Sequence, residues 1–379
     1  MSSLSAEMRA MLDDSVDKFL RDHYSFDAGR RLVESTAGYS PAHWQQFAEL
    51  GWLGIPFAEA DDGLGGTVAD TLGLMRRFGR ALVVEPYLGV VGLAGQAIAH
   101  SSHAQLKASL LPGLIAGEIL PVLAWEEMQS RGNPAYVETR AQATAEGWRI
   151  DGEKITVLNA PQATHVIVSA RSAGEIADNA GMELFVVAMD TPGVTVEGFE
   201  TVDGHRAARV RFEAVAVTTA QRLNAEGAGG ALLQRAIDAG CLMIAAEALG
   251  AMETLLDKTI AYTQTRKQFG MPIAGFQVLQ HRMVDMYIAL TNAENLFEQT
   301  VAEHGDKATV PAPAAALLKA GISQSARYIG QQAIQLHGGI GMTDELDVGH
   351  YFKRLTALSL LFGGADTHLK RYWRASSGR

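Results

Sequence analysis

The residues of this chain best suited to bind a ligand lie in the stretch RKQFGMPIAGFQ, which begins at Arg266. A cation (Arg266), an aromatic ring (Phe269) and an amide (Gln277) surround a break between two runs of helical periodicity, where a glycine and a proline lie two residues apart. This set of side chains suits a phosphate-linked ring system held outside a helix bundle. The alternative interpretation is that the basic residue complements a helix C-terminus and that the phenylalanine lies in the core.

A second stretch, QQAIQLHGGIGMT, begins at Gln331 and ends a helical run in Gly338 and Gly339, where backbone can approach a bulky ligand and present its N–H groups. Together the two stretches resemble the C-terminal domain of the acyl-CoA dehydrogenase family, whose pattern R-x-x-F-G…F-Q followed by Q-x-x-G-G-x-G they match. The resemblance extends over essentially the whole chain. More narrowly, the chain resembles the small subunit of pimeloyl-CoA dehydrogenase and similar two-subunit enzymes.

The resemblance implies an FAD-dependent enzyme that desaturates an acyl-CoA thioester between its α and β carbons and passes the electrons to an electron-transfer flavoprotein. In the family, the flavin ring lies in one protomer while a neighbour holds the pyrophosphate and adenosine end. The residues that match this second role are Arg266, Phe269, Gln277, Gln335, Gly338 and Gly339.

The reaction needs a carboxylate to remove the α-proton, and the family places it at one of two positions. The first falls in the sequence FGGAD, where Gly363 stands in place of the glutamate, and the second falls at about Gly240. Two nearby carboxylates are the stronger candidates to substitute: Glu247, two turns along the same helix face as Gly240, and Asp366, three residues past Gly363. A third, Asp238, is two positions before Gly240 and should point away from that face. Each could equally serve an interface or a loop cap.

The segments that bind the flavin ring in the family also differ here. The Thr-Glu-Pro…Gly-Ser-Asp segment corresponds to WEEMQSR, beginning at Trp125, and Leu158 occupies the threonine position of the Trp-x-Thr-Asn segment. A leucine side chain cannot hydrogen-bond the ring. Our hypothesis is therefore a base-less supporting subunit of an α2β2 heterotetramer. The alternatives are a self-sufficient homotetramer with a displaced base, or a non-catalytic assembly protein of the same fold.

Elements of two kinds must position these residues. Helical periodicity fills the first third of the chain, short runs rich in Val, Ile, Thr and aromatics follow, and helical periodicity then returns. We predict a mostly helical α+β protein with the acyl-CoA dehydrogenase fold. Its parts are an N-terminal helical domain (1–119), a middle antiparallel β-domain (120–225) and a C-terminal four-helix bundle (226–379).

Composition excludes several other classes. The net charge of −10 argues against a nucleic-acid role. One cysteine, Cys241, cannot form an intrachain disulfide or a cysteine-rich zinc site, and no His/Cys/Asp cluster has metal-ligand spacing. The N-terminal segment carries acids among its apolar residues, and no apolar run reaches roughly 18 residues. We expect a cytoplasmic protein without a metal, a nucleic-acid partner or a membrane span.

Overall fold

The computed structural model describes residues 4–178, 180–305 and 310–377. Residues 1–3 and 378–379 of the predicted terminal domains, residue 179 of the predicted middle domain and residues 306–309 of the predicted bundle lie outside the described residues. Within the described part, helices come first, a β-sheet follows, and helices return after Gly229. The predicted fold class is confirmed.

The N-terminal part is a helical layer around a cluster of aromatic rings. Its helices are α1 (Ala6–His23), α2 (Phe26–Glu34), α3 (Pro41–Glu49), α4 (Leu72–Ala81), a π-helical segment (Leu88–Gly95), α5 (Gln96–Ala99) and α6 (Ala104–Ile115). Serine side chains cap the first three by accepting a bond from a backbone N–H three residues on: Ser5, Ser25 and Ser40. Phe19 lies with its ring centroid 5.3 Å from that of Phe47 and 5.4 Å from that of Trp52, which anchors α1 and α3 to one core.

The middle part is a twisted sheet whose strand order is β1-β4-β2-β3-β7-β6, with β5 paired to β4. The strands are β1 (Pro121–Ala124), β2 (Arg140–Thr144), β3 (Gly147–Leu158), β4 (His165–Arg171), β5 (Met182–Ala188), β6 (Val194–Glu200) and β7 (Arg206–Val217). The expectation of an antiparallel sheet needs correction, because β1 and β2 both pair with β4 in parallel. Strand β7, whose alanine- and arginine-rich sequence was not expected to form a strand, is the antiparallel partner of both β3 and β6.

The C-terminal part is a helical bundle built around α7 (Gly229–Thr265), α8 (Gln277–His304) and α9 (Ala312–His337), with a small hairpin, β8 (Lys267–Gln268) and β9 (Met271–Pro272), between α7 and α8. Two shorter helices, α10 (Val348–Leu360) and α11 (Ala365–Ser376), pack against α9. Helix α7 is long and apolar enough for a membrane span, but 83 % of its most apolar window is buried inside the protein, as expected for a core helix.

Helices α4 and α7 cross with their backbones in contact, and this crossing fixes the position of the turn of α7 that carries Glu247. A Cβ atom added at Gly79 would lie 1.9 Å from the carbonyl oxygen of Glu247, and one added at Gly250 would lie 1.8 Å from that of Arg76. Only glycine allows so close an approach. The crossing places Glu247 between the N-terminal helices and the bundle.

Candidate functional site

The corner that holds Arg266, Phe269 and Gln277 projects from the surface. Arg266 follows the last residue of α7 in an extended conformation, and Gln277 is the first residue of α8. At the tip of the β8–β9 hairpin, Phe269 has a positive φ of 51° and is 92 % exposed. The interpretation of Phe269 as a core residue is therefore wrong. An aromatic side chain of this kind is left free to contact a ligand or a second chain.

The glycine stretch lies on the same side of the bundle as this corner. The ring of Tyr262, near the end of α7, stacks on that of His337 at the end of α9 with centroids 4.3 Å apart. The Tyr262 hydroxyl also donates to the His337 carbonyl at 3.3 Å. These contacts tie together the helix ends that carry Arg266 and the glycines. His337 itself is buried and donates from Nδ1 to the Ala333 carbonyl at 2.8 Å, so it is a packing residue.

The backbone beyond α9 is open to approach. Gly338 has a φ of 65°, which favours glycine, and a Cβ added at Gly338 or Gly339 would meet no atom within 4 Å. Gln335, in the last turn of α9, is exposed as well. The six residues predicted to bind the pyrophosphate and adenosine end of FAD, called the cofactor-edge residues below, thus all lie on the surface of a single chain. They fit the nucleotide half of a dinucleotide, which needs a cation, donors and an aromatic face.

The two positions where the family carries a base face a space that is already filled. A Cβ added at Gly240 would lie 2.7 Å from Leu93 Cδ2 and 2.8 Å from Phe362 Cε2. Phe362 is buried and has a φ of 62°, while Gly363 beside it has a φ of 100°. A Cβ added at Gly132 of the middle part would lie only 2.7 Å from Gly363 Cα. A larger side chain at Gly240 would require Leu93 and Phe362 to move.

Buried donors hold this Phe362–Gly363 turn in place. The Lys319 ammonium donates to the Gly363 carbonyl at 3.3 Å and to the Ser359 carbonyl at 3.2 Å. The Nε2–H of His368 donates to the Phe362 carbonyl at 3.0 Å. Burial lowers the pKa of Lys319 to about 8 and that of His368 to about 4. The turn is a rigid part of the bundle.

Glu247, the first of the two carboxylate candidates, belongs to a buried charge network. Arg354 of α10 donates from Nε to Glu247 Oε1 at 2.6 Å and from Nη1 to Asp203 Oδ2 at 2.7 Å. His205 Nδ1 lies 3.3 Å from Asp203. Burial alone would raise the pKa of Asp203, but His205 and Arg354 outweigh it and hold that pKa far below its usual value. The network joins the bundle to the sheet.

Adjacent basic residues such as Lys353 and Arg354 are usually part of a solvated helix face, but Arg354 is not. Arg354 is buried, whereas Lys353 is exposed and pairs with Asp344 at 3.1 Å. The signal that could have found the network is weak, because its acids lie 107 and 151 residues away from Arg354 in the chain.

A cavity of about 40 Å³, the inner cavity, lies beside Glu247 where the three parts of the protein meet. Its wall includes Leu88 and Gly89 of the π-helical segment and Leu158 and Asn159 of the sheet. Glu247 Oε2 has no hydrogen-bond partner among the described residues. The inner cavity can hold about one or two water molecules but no acyl chain. Asp366, the second candidate, is exposed in the first turn of α11, away from this cavity.

The segment that should contact a flavin ring is turned into the protein. Trp125 is only 4 % exposed and belongs to the main apolar core. Glu127 Oε1 accepts from the buried Lys154 ammonium at 2.6 Å and from the Thr139 hydroxyl at 2.7 Å. Burial raises the pKa of Glu126 to about 7. Together with Leu158, these residues fit a closed domain junction and do not fit a bound flavin ring.

The architecture defines the class of protein: a helical layer, a central sheet and a helical bundle follow one another along the chain. Three family models match the chain: the N-terminal domain of acyl-CoA dehydrogenase over residues 6–118, the middle domain over 123–215 and the C-terminal domain over 227–376. The chain belongs to the acyl-CoA dehydrogenase family.

Individual relatives cover nearly the whole chain. The acyl-CoA dehydrogenase IpdE2 of Mycolicibacterium smegmatis is 28 % identical over 97 % of this chain and 98 % of its own length. Human mitochondrial short-chain specific acyl-CoA dehydrogenase is 27 % identical over 87 % of this chain and 83 % of its own length.

Solved structures show the same fold. A variant of the Tcur3481–Tcur3483 steroid ACAD superimposes with a TM-score of 0.86 at 28 % identity, covering 98 % of each chain. The ChsE4–ChsE5 complex of Mycobacterium tuberculosis gives a TM-score of 0.87 at 24 % identity, covering 100 % of each chain. Members of this family are FAD-dependent oxidoreductases, so the predicted family, enzyme class and FAD cofactor are confirmed.

Proposed function

We propose that this chain is the supporting subunit of a heterotetrameric acyl-CoA dehydrogenase. In this proposal a second, homologous subunit supplies the base and houses the flavin ring, and this chain holds the nucleotide end of the shared FAD. The observation that carries the proposal is a contrast: the space facing Gly240 is filled by Leu93 and Phe362 and the space facing Gly363 by Thr367, while the six cofactor-edge residues are exposed.

FAD, when bound, supplies the acceptor for the hydride that leaves the β-carbon of the acyl group. The residues of this chain would bind and orient it. The Arg266 guanidinium would neutralise pyrophosphate charge, Phe269 would offer a ring face, and the Gly338–Gly339 backbone would approach the ligand closely. The amides of Gln277 and Gln335 would add donors and acceptors. No proton-transfer step is assigned to this chain.

The exposed apolar side chains of the bundle support assembly with another chain. On α8 they include Val278, Val284, Tyr287 and Ile288, each at least 50 % exposed. Patches of this kind mark protein interfaces. We infer an α2β2 assembly that passes electrons to an electron-transfer flavoprotein and resides in the cytoplasm. By analogy with the steroid ACAD relative, the substrate is a CoA thioester with a bulky or long acyl group.

The test is to purify this chain alone and after co-expression with a homologous subunit, and to count FAD by absorbance. We expect FAD only in the co-purified complex, with bleaching on addition of acyl-CoA. Arg266→Gln should lower the FAD occupancy of the complex, and the adjacent Lys267→Gln is the matched control, since Lys267 is exposed but outside the motif. An FAD-loaded homotetramer of this chain alone that is bleached by acyl-CoA would refute the proposal.

A self-sufficient enzyme is the second candidate, because Glu247 Oε2 lacks a partner beside the inner cavity. If Glu247 were the base, Glu247→Gln would abolish dehydrogenation by the chain alone while FAD remained bound. Under our proposal the chain alone has no activity to lose. If the co-purified complex also lacks FAD, the assembly-protein alternative is favoured.

A further inference from the structure

A larger cavity, the outer cavity, lies on the far side of the Arg354–Asp203 ion pair and has a volume of about 290 Å³. Residues of α2, the end of α4, α7 and α10 line it, and the ion pair belongs to its wall as well as to that of the inner cavity. The two cavities therefore share a partition of charged side chains. The outer cavity contains none of the cofactor-edge residues.

One wall of the outer cavity is apolar. Phe26 and Val33 come from α2, and Leu82 and Val84 come from the segment after α4. Leu82 has a φ of 54°, which a branched side chain rarely adopts. Strained residues that line cavities are frequent at binding sites. An apolar wall of this size gains free energy when a ligand displaces water from it.

Cations and an imidazole adjoin the apolar residues in the wall of the outer cavity, since Arg30 also lies on α2 and the His350 ring centroid lies 5.1 Å from that of Phe26. The closest acid to Arg30 is Glu34, at 3.6 Å in an exposed i,i+4 pair, which is a weak interaction. Lys258 pairs with Asp347 at 2.7 Å.

His350 is the imidazole in this wall. Its Nε2 is buried and has no hydrogen-bond partner among the residues that the structure describes, and its closest carboxylate there, that of Asp344, lies 3.9 Å away. Burial lowers the pKa of His350, so its ring is a neutral donor or acceptor near pH 7. Within the described part of the chain, no side chain or backbone group bonds to this nitrogen.

We propose that the outer cavity binds a small apolar monocarboxylate. Its carboxylate would lie between Arg30 and His350, and its hydrocarbon chain would cover Phe26, Val33 and Leu82. The cavity is at the lower end of the roughly 300–1,000 Å³ typical of small-molecule sites, which favours a medium-chain acid over a nucleotide. This inference does not depend on the FAD proposal, because the site shares no residue with the cofactor edge.

The experiment uses octanoate and 1-octanol as probes, titrated calorimetrically into the purified full-length chain. We expect saturable binding of one octanoate per chain and at least about tenfold weaker binding of 1-octanol. Arg30→Gln should weaken octanoate binding about tenfold. Arg31→Gln is the matched control, because Arg31 is the next residue of α2, is exposed and does not line the cavity, so it should change binding less than about twofold.

A steric variant tests the location independently. A Cβ added at Gly29 would meet only the Tyr24 ring, at 3.9 Å, so Gly29→Leu projects into the outer cavity without removing a charge. It should abolish octanoate binding with circular dichroism unchanged, whereas Ala10→Leu, at an exposed position of α1, should not. The proposal is overturned if octanoate does not saturate, if Arg30→Gln and Arg31→Gln have equal effects, or if folded Gly29→Leu still binds.

Discussion

Replacing Arg354 by methionine tests whether the buried charge network stabilises the junction of the three parts. The side chains of Arg354, Glu247 and Asp203 are 9 %, 3 % and 2 % exposed, so solvent screens them little. Removing one partner of a buried ion pair costs about 3–5 kcal/mol, because the remaining charge stays buried and unpaired. Arg354→Met leaves two buried carboxylates unpaired, so we expect the free energy of unfolding at pH 7 to fall by an amount at the upper end of this range.

The loss should depend on pH in a defined direction. The native pKa of Asp203 lies far below its value of about 3.9 in the unfolded chain. Its contribution to stability is therefore fully present above pH 4 and disappears as the pH falls below it. Arg354→Met weakens this contribution, so the difference in unfolding free energy between wild type and variant should stay constant between pH 7 and about 4 and shrink as the pH falls below about 4.

The assay is equilibrium urea unfolding, followed by tryptophan fluorescence and circular dichroism so that intermediates are detected. Lys353→Met is the matched control on the same helix, because Lys353 and its partner Asp344 are 41 % and 77 % exposed. It should change stability by less than about 1 kcal/mol. The triple variant with Arg354→Met, Glu247→Gln and Asp203→Asn should recover most of the loss, since no buried charge remains. A loss below about 1 kcal/mol for Arg354→Met, or one independent of pH, would refute the reasoning.

Three further predictions follow from buried positions. Burial raises the pKa of Glu126 to about 7, so the native state binds more protons than the unfolded state between about pH 4.5 and 7. The free energy of unfolding therefore falls as the pH rises through this window. Glu126→Gln should reduce this pH dependence in urea titrations. Gly250→Ala should lower the unfolding free energy by several kcal/mol and markedly lower the melting temperature, because its Cβ would lie 1.8 Å from the carbonyl oxygen of Arg76; unchanged melting would contradict the close crossing of α4 and α7. Gly240→Glu should destabilise the chain and restore no acyl-CoA dehydrogenation, because Phe362 fills the space it needs; a gain of activity would show that the site can open.

The helices of the bundle were predictable because long periodic segments carry strong signals. The returning helical periodicity of the last third, for example, includes α8, which runs from Gln277 to His304. Strand β7 was not predictable, because its sequence, RAARVRFEAVAV, is rich in alanine and arginine, which are poor markers of strands. Its apolar residues do alternate, and its pairing with the long β3 overrides the weak propensity.

The candidate site was predictable only where the signal is local. The cofactor-edge residues form compact motifs, so their types and spacing could be recognised, and the exposure of Phe269 agrees with a ligand-facing role. The Glu247–Arg354–Asp203 network joins three distant segments, and periodicity carries no information about such pairings. Likewise the sequence showed glycines at the base positions, but only the structure shows that Phe362 occupies the space in front of Gly240.

Several residues together fill the space at the two positions where the family carries a base. This argues against a base that was lost by a single substitution. A carboxylate at Gly240 would need Leu93 and Phe362 to move, and one at Gly363 would press against Thr367. The Phe362–Gly363 turn is bound by His368 and Lys319 through both of its carbonyls and is covered by the backbone at Gly132. Interiors packed at crystal-like density transmit such a displacement to their neighbours instead of absorbing it. Recovering a site for the thioester would therefore require coordinated changes in the turn, in α9 and in the sheet, whereas the exposed edge needs no change to serve a flavin held by another chain.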